Sequence, residues 1–228
     1  MSSKSNVFEN DLLLLLFNNT NIANIGDAGG VRGSVAPGQL FFSLHSADPG
    51  EGGDQATNEV AYTGYARVGV ARSGAGFVVT GNSVSPAANV DFGSCTALPA
   101  TYMYWALGTA ASGAGKVLYK GVIGANLGGF TALATDTITI PGLTGVAVND
   151  NIAFFAAPGD TLPAGITEGT VYFVRTVAGN DITLSLTSGG AVVDITGPGK
   201  GRAMRVTPKV MTIGDIPRIP TTTTIVED

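Results

Sequence analysis

Apolar and polar residues alternate along a series of short runs in this chain. In the run LFFSLH, which begins at Leu40, the first, third and fifth residues are apolar and share one side, whereas Ser43 and His45 lie on the other. This period of two predicts a strand with one buried face. The same criterion predicts ten more strands, at residues 65–72, 76–80, 89–92, 101–108, 116–123, 135–140, 151–156, 171–177, 181–186 and 191–195.

Glycine and proline interrupt these runs throughout the sequence. The 228 residues include 33 Gly and 11 Pro, and helices tolerate both poorly. Short runs rich in Val, Ile, Thr, Phe and Tyr therefore indicate an all-β protein, with spacing typical of a β-sandwich or jelly roll. Residues 101–108 are apolar on both sides, which predicts a central or covered strand. Ala178, Gly179 and Asn180 are predicted to form a hairpin loop.

One helix is predicted near the N-terminus. An apolar run from Leu12 to Phe17 follows Asn6 and Glu9, whose spacing is that of a capping box, and the helix is expected to end near residues 18–19. The run is too short to span a bilayer, and acidic residues precede it, so it is not a signal peptide. The helix either packs across the sandwich or contacts a neighbouring subunit.

From about residue 130, the predicted strands are separated by turns that contain Pro or Gly. We predict a main β-sandwich domain formed by residues 1–129 and 208–228, in which residues 20–39 are a polar, glycine-rich arm. Residues 130–207 are predicted to form an inserted small β subdomain. The alternative is that this block extends the main sandwich.

The net charge and the single cysteine limit the kinds of partner and environment that are expected for this chain. The net charge is −5, and only 13% of residues are charged, which suits a surface partly hidden in an assembly. Nucleic-acid binding is not expected, because the basic residues are scattered. The nearest basic cluster, which is read as a solvated edge, contains Lys200, Arg202, Arg205 and Lys209. Cys95, the single cysteine, is predicted to be a small buried residue.

The acidic loop that follows Leu40–His45 is a candidate cation site. Asp48 and Glu59 occupy the first and last positions of an EF-hand-like frame, but Gly50 and Gly52 stand where oxygen donors are needed. An intact EF-hand is therefore improbable. The loop either collects a cation at an interface or is simply solvated, and the second interpretation is preferred.

His45 is the single histidine, so no second imidazole is available for a metal site or an acid–base pair. The sequence also lacks a nucleophile elbow, and we predict that His45 forms hydrogen bonds at the strand end. Glycine runs at 108–115 and 197–201 are read as turns. Arg67 could anchor a partner, but a salt bridge to the 48–59 loop is the preferred prediction. No catalytic, cofactor-binding or metal residue is assigned, and no cofactor is expected.

Several segments resemble one family. SLHSADPGEGG, which contains His45, and the following NEVAYTGYARV resemble the LHTADPG and GYAR signature of tailed-bacteriophage virion proteins, often labelled tail fibre proteins. LFNNTNIANIGDAGGVRGS, GTAASGAGKVLYKGVI and IGDIPRIP with IVED resemble the family's N-terminal segment, glycine-rich hairpin and closing strand. Ser46 departs from the family's usual threonine. The resemblance implies that compact members pass almost directly from a segment like 118–128 to one like 213–220, so that the block between them is inserted.

The resemblance implies a non-enzymatic structural protein of the virion, made in the host bacterial cytoplasm. The first hypothesis is a capsid decoration or cement protein, whose partners are the major capsid protein and copies of itself, with a trimer as the guessed state. A tail or tail-fibre component is the alternative. Carbohydrate binding through Tyr172 and Phe173 is a second class of function, although aromatic residues in strands are more often part of the core. An enzyme such as a depolymerase has no convergent set of acids or nucleophiles to support it. Neither nucleic acid nor membrane is an expected partner.

Overall fold

The computed structural model describes residues 4–26 and 29–227, and the all-β prediction is confirmed. The described residues contain one helix, α1 (Asn6–Asn18), and seventeen strands. The strands are β1 Gln39–His45, β2 Val68–Ala71, β3 Phe77–Thr80, β4 Ser83–Pro86, β5 Val90–Asp91, β6 Thr101–Tyr102, β7 Tyr104–Gly108, β8 Val117–Val122, β9 Gly124–Ala132, β10 Ile138–Thr139, β11 Asn151–Phe155, β12 Tyr172–Ala178, β13 Asp181–Ser185, β14 Gly199–Val206, β15 Lys209–Val210, β16 Arg218–Ile219 and β17 Ile225–Val226.

A four-stranded antiparallel sheet in the order β2-β1-β7-β8 forms the centre of the first half of the chain. All five residues of β7 are buried, which confirms that the strand with two apolar faces is central. On β1 the expectation of a single buried face is wrong. Ser43 and His45 are both fully buried together with Leu44, because β1 lies between two strands and its polar face is covered by the following loop.

Short C-terminal strands return to the first half of the chain. β16 pairs with β5, β15 pairs with β6, and β17 joins β4 and β3 in a three-stranded sheet. Ile219 of β16 and Ile225 of β17 join a core that also contains Phe42, Trp105 and Cys95. Cys95 is fully buried, as predicted.

The helix α1 packs against this same core. Phe17 is fully buried and lies 5.0 Å from Phe77 and 5.6 Å from Tyr119, measured between ring centroids. The helix ends where predicted, with Asn19 in the left-handed conformation, but its N-cap is Ser5 rather than Asn6. The Ser5 Oγ is the cap because it accepts from the backbone N–H of Phe8. Within the described ranges, no helix is long and apolar enough to cross a membrane.

The segment after α1 is tied to the body of the protein. Arg72 donates from Nε to the carbonyl of Leu16 at 2.7 Å and from Nη2 to that of Leu15 at 2.9 Å, so it satisfies carbonyls at the helix C-terminus. Its Nη1 also donates to Ser34 Oγ at 2.9 Å. Asn19 holds the backbone of Ser34 through two hydrogen bonds.

The second half of the chain contains a closed six-stranded barrel. Its strand order is β10-β13-β12-β11-β14-β9, with β9 and β10 closing the ring. Phe130, Phe154, Tyr172 and Leu184 belong to its buried core. The predicted hairpin loop at residues 178–180 is confirmed, because β12 and β13 pair directly around it. That residues 130–207 form an inserted subdomain stays a prediction.

The barrel and the four-stranded sheet are in contact. The hydroxyl of Tyr104 in β7 donates to the carbonyl of Gly169 at 2.9 Å. The ammonium of Lys120 in β8 lies 5.9 Å from the ring centroid of Phe155 in β11. The first and last described residues are also close in space, because Lys4 and Glu227 form an ion pair at 3.2 Å.

Gly121 is a point of close approach in β8, and it gives a first prediction. A Cβ at this position would lie 2.7 Å from three atoms of the Trp105 indole, whose ring is held by the central strand. Gly121→Ala is expected to lower the free energy of unfolding by about 1–3 kcal/mol through overpacking. Urea unfolding measures the loss. Gly129→Ala is the control, because a Cβ there meets only Gly201 O, at 3.7 Å; equal losses in both variants would contradict the explanation.

Candidate functional site

The acidic loop between β1 and β2 is held by Arg67. Its Nε and Nη2 donate to the two carboxylate oxygens of Glu59 at 2.7 Å each. Its Nη1 and Nη2 also donate to the carbonyls of Ala110 at 3.0 Å and Gly113 at 2.7 Å. The hydrogen bonds that Arg67 donates to Glu59 raise the pKa of Arg67, so the guanidinium stays charged although its side chain is 2% exposed. The predicted salt bridge is confirmed, and it also fastens the turn between β7 and β8.

Tyr65 adds a second link to the same carboxylate. Its hydroxyl donates to Glu59 Oε1 at 2.7 Å and accepts from the backbone N–H of Leu44 at 3.1 Å. Burial, followed by the contact with Glu59, raises the pKa of Tyr65 well above its ordinary value. The tyrosine therefore remains protonated, as a donor to Glu59, at neutral pH.

Asp48 connects the loop to β8. Both of its carboxylate oxygens accept from the ammonium of Lys120 at 3.0 Å, and Glu51 lies 3.1 Å from the same nitrogen. Burial alone would lower the pKa of Lys120, but these carboxylates raise it overall. A Cβ on Gly169 would lie 2.1 Å from Asp48 Oδ2, so the loop also reaches the barrel. The Asp48 carboxylate thus neutralises a partly buried lysine.

The remaining loop carboxylate fixes local backbone. Asp54 Oδ1 accepts from the N–H groups of Ala56 at 2.8 Å and Thr57 at 3.1 Å. Across residues 4–26 and 29–227, no group of three or more His, Cys, Asp or Glu side chains is placed to hold a metal ion. Glu59, Asp48 and Asp54 are bonded to groups of the chain itself, so the prediction of a simply solvated loop is wrong for these carboxylates.

His45 forms the hydrogen bonds that were predicted at the strand end. Its Nδ1 lies 2.9 Å from the carbonyl of Thr57, which fixes the proton on Nδ1, and its Nε2 then accepts from Ser43 Oγ at 2.9 Å. The period of two places Ser43 and His45 on one face of the strand, but their hydrogen bond was not predicted. Both residues are fully buried, and a backbone carbonyl stands where a triad has its carboxylate. This pair joins the loop to β1.

Acid is expected to weaken the fold through His45. Burial lowers its pKa below the ordinary value of 6.5, outweighing the opposing effects of the Thr57 carbonyl, Glu59 and Asp48. The unfolded chain therefore binds a proton before the folded chain does, and stability falls as the pH drops from about 6.5 through the lowered folded pKa. Urea unfolding at pH 7.5 and 5.5 measures this loss. In His45→Gln, the free energy of unfolding is expected to fall less between pH 7.5 and pH 5.5 than in the unchanged protein. An equal fall in both proteins would refute the assignment of the pH dependence to His45.

The predicted basic cluster is partly neutralised. Lys200 pairs with Asp160 at 2.8 Å, and Arg205 pairs with Asp150 at 3.1 Å. Of the two aromatic candidates for sugar binding, Tyr172 is a core residue whose hydroxyl accepts from the N–H of Thr167. It is therefore not available to a ligand.

An exposed apolar surface is a second candidate contact site. Leu98, Val210 and Ile213 are 73%, 74% and 68% exposed, and we refer to them as the loop patch. Backbone hydrogen bonds join the two segments that carry them, from Met211 to Ala100 and from Gly214 to Cys95. Leu98 has a φ of 53°, a conformation that is strained for a leucine. Exposed apolar clusters of this kind mark surfaces that contact other proteins.

Ion pairs and a buried imidazole fix the acidic loop against the strands of an all-β fold. Residues 3–145 match the family model described as Podophage GP4 fiber I protein gp80. The match covers more than half of the chain, which therefore belongs to this family of phage fibre proteins, and it supports a structural component of a bacteriophage virion. No curated protein sequence matches the chain. The finer LHTADPG and GYAR signature stays a hypothesis.

Proposed function

We propose that the chain is a non-enzymatic structural component of the tail-fibre apparatus of a phage particle. The observation that carries the proposal is the match of residues 3–145 to a podophage fibre protein family. This is the alternative raised by the sequence, and we prefer it to capsid decoration.

The side chains with the greatest potential for chemistry support a structural role. Ser43 and His45 are fully buried, so a substrate has no path to them without unfolding of the loop. Arg67, Lys120 and their carboxylates are paired with one another. Their common effect is to lock the acidic loop onto β1, β8 and the barrel.

The decoration hypothesis relied on a helix and an arm that could clamp a neighbouring subunit. In the structure, Leu13 and Phe17 of α1 are fully buried in the chain's own core. Arg72 and Asn19 hold the segment that follows. The two features therefore have intramolecular partners, which weakens the argument for a capsid clamp and for the major capsid protein as the partner.

Self-association remains part of the proposal. The loop patch of Leu98, Val210 and Ile213 gives copies of the chain an apolar contact surface, and a trimer is the expected state. Sedimentation equilibrium measures the state, and a chain that stays monomeric at high concentration would contradict this part.

The number of copies per particle separates the two locations. Quantitative mass spectrometry of purified virions is expected to give a handful of copies, with immunogold label at the tail. Hundreds of copies and label over the head would overturn the tail-fibre proposal and support decoration.

A further inference from the structure

A large groove runs beside β8. It has a volume of about 980 Å³, and its lining includes residues 119–126, where β8 ends and β9 begins, and most of residues 218–226, which comprise β16, a turn and β17. We refer to it as the β8 groove. Gly121 and Gly124, which carry no side chain, and Thr222–Thr224 are among its lining residues. The groove therefore follows the last residues of β8 and the first residues of β9.

The edge of β8 is open towards this groove. β8 pairs with β7 and with no other strand in the described residues. The N–H of Ile123 donates to the carbonyl of Met103 on the β7 side at 2.7 Å. Because successive N–H groups of a strand point in opposite directions, the N–H of Val122 points away from β7. An open edge of this kind can pair with the main chain of another polypeptide.

The charges around the groove have one sign. Among the described residues that line it, four are basic and none is Asp or Glu; the basic residues are Lys120, Arg202, Lys209 and Arg218. The whole chain, by contrast, has a net charge of −5. Lys120 and Arg218 are paired with carboxylates outside the groove. Lys209 is exposed and forms no ion pair within the described part of the chain, so it can meet an incoming anion.

We propose that the β8 groove binds an extended acidic segment of a partner polypeptide, which adds a strand to the β8 edge. Main-chain hydrogen bonds to β8 give the affinity, and carboxylates near Lys209 give the preference for an acidic sequence. The inference goes beyond the proposed function, because it holds whether the chain lies in the tail or in the head of the particle.

A polysaccharide suits the groove less well than a peptide. Three aromatic residues line the groove. Tyr102 and Trp105 are only 7% and 6% exposed, and the ring of the half-buried Tyr119 packs against Phe17 while its hydroxyl donates to Glu227 Oε1. These rings are therefore poorly placed for a sugar to stack on. The row of β8 main-chain groups matches a polypeptide, which carries a donor and an acceptor at each residue.

The binding test uses synthetic peptides of about ten residues, long enough to span the six residues of β8. One peptide alternates valine and glutamate, a second alternates valine and lysine, and a third is the acidic peptide with alternate amides N-methylated. Fluorescence of Trp105, the single tryptophan, reports occupancy of the groove, and hydrogen exchange of residues 117–122 reports pairing with β8. The acidic peptide alone is expected to change the fluorescence and to protect these amides.

A matched pair of variants tests the charge. Lys209→Glu is expected to weaken binding of the acidic peptide by about fivefold or more. Lys116→Glu makes the same change in charge at an exposed lysine outside the groove lining, and it is expected to leave binding unchanged. Equal weakening by both variants would show a general electrostatic effect and overturn the proposal.

Four further outcomes would also overturn it. The first is no binding of the acidic peptide, and the second is equal binding of its N-methylated form, which cannot pair. The third is that polygalacturonate binds in a Lys209-dependent manner and the peptide does not, which would assign the groove to an acidic polysaccharide. Protection of residues 117–122 that rises with protein concentration, without any peptide, would assign the edge to a second copy instead.

Discussion

Arg67→Met is expected to lower the free energy of unfolding by about 3–5 kcal/mol, because the change breaks a buried ion pair and leaves its partner uncompensated. Glu59 would keep its charge without the two guanidinium hydrogen bonds, and the carbonyls of Ala110 and Gly113 would lose their donors. Arg67→Lys is expected to lose about half as much, since an ammonium keeps the charge but cannot pair with both carboxylate oxygens in the same geometry. Urea unfolding at pH 7.5 measures both losses.

Arg218 provides the matched control. It also binds a carboxylate through Nε and Nη2, in this case that of Asp91, but both side chains are about half exposed. Arg218→Met is expected to change stability very little, because water solvates both charges once the pair is broken. If the two methionine variants lose similar stability, burial does not set the strength of the Arg67 pair, and its assignment as the fastening of the acidic loop fails.

Phe154→Ala is expected to cost about 3–5 kcal/mol of the barrel's stability through the cavity that it leaves. Phe154 is fully buried and packs 4.9 Å from Phe130 and 6.1 Å from Tyr172, measured between ring centroids. The buried core of the barrel shares no residue with the core around Phe42. If residues 130–207 are an inserted subdomain, calorimetry should show two transitions, and this variant should move only one of them.

Phe42→Ala is the control for that experiment. Phe42 is also buried, and it packs near Phe77 and Trp105 in the other core. It is expected to move the transition that Phe154→Ala leaves in place. A single transition that moves equally in both variants would show that the sheet and the barrel unfold together, and it would contradict the insertion hypothesis.

The strands that could be predicted from the sequence are those in which burial alternates or is complete. β1, β7 and β11 lie within one or two residues of the predicted ranges, apart from the division of 101–108 into β6 and β7. Each contains bulky apolar residues that pack against neighbouring strands, so the local pattern and the tertiary structure agree. The helix α1 was predicted for the same reason, since its apolar run is bounded by polar caps.

The barrel was not predicted as a closed ring, because two of its longest strands are rich in glycine. β9 and β14 pair along their length, but their sequences GANLGGFTA and GKGRAMRV resemble turns. A Cβ on Gly124 would lie 1.7 Å from the carbonyl oxygen of Arg205, so glycine is required there by the approach of two backbones. The predicted strand at 191–195 is absent from the named strands, and Val192 forms only an isolated bridge with Ser185.

The contacts of the acidic loop also differ in how far the sequence could predict them. The pairing of Arg67 with Glu59 was predictable because eight residues separate them and a single turn can bring them together. The pairing of Asp48 with Lys120 spans 72 residues and depends on the order of strands in the sheet, which no local pattern specifies. Ser43 was missed beside His45 because both were assigned to a solvent-facing side of β1.

The ion pair between Lys4 and Glu227 has a practical consequence for engineering. Since these residues lie side by side, whatever is fused before the one or after the other leaves the molecule from a single place. A short peptide joining them would yield a circular permutant with new ends in the Gly179–Asn180 turn, far along the chain from the acidic loop. Because the two residues are adjacent, tandem copies could also be joined by short linkers, with both linkers of a copy attached at the same place on its surface.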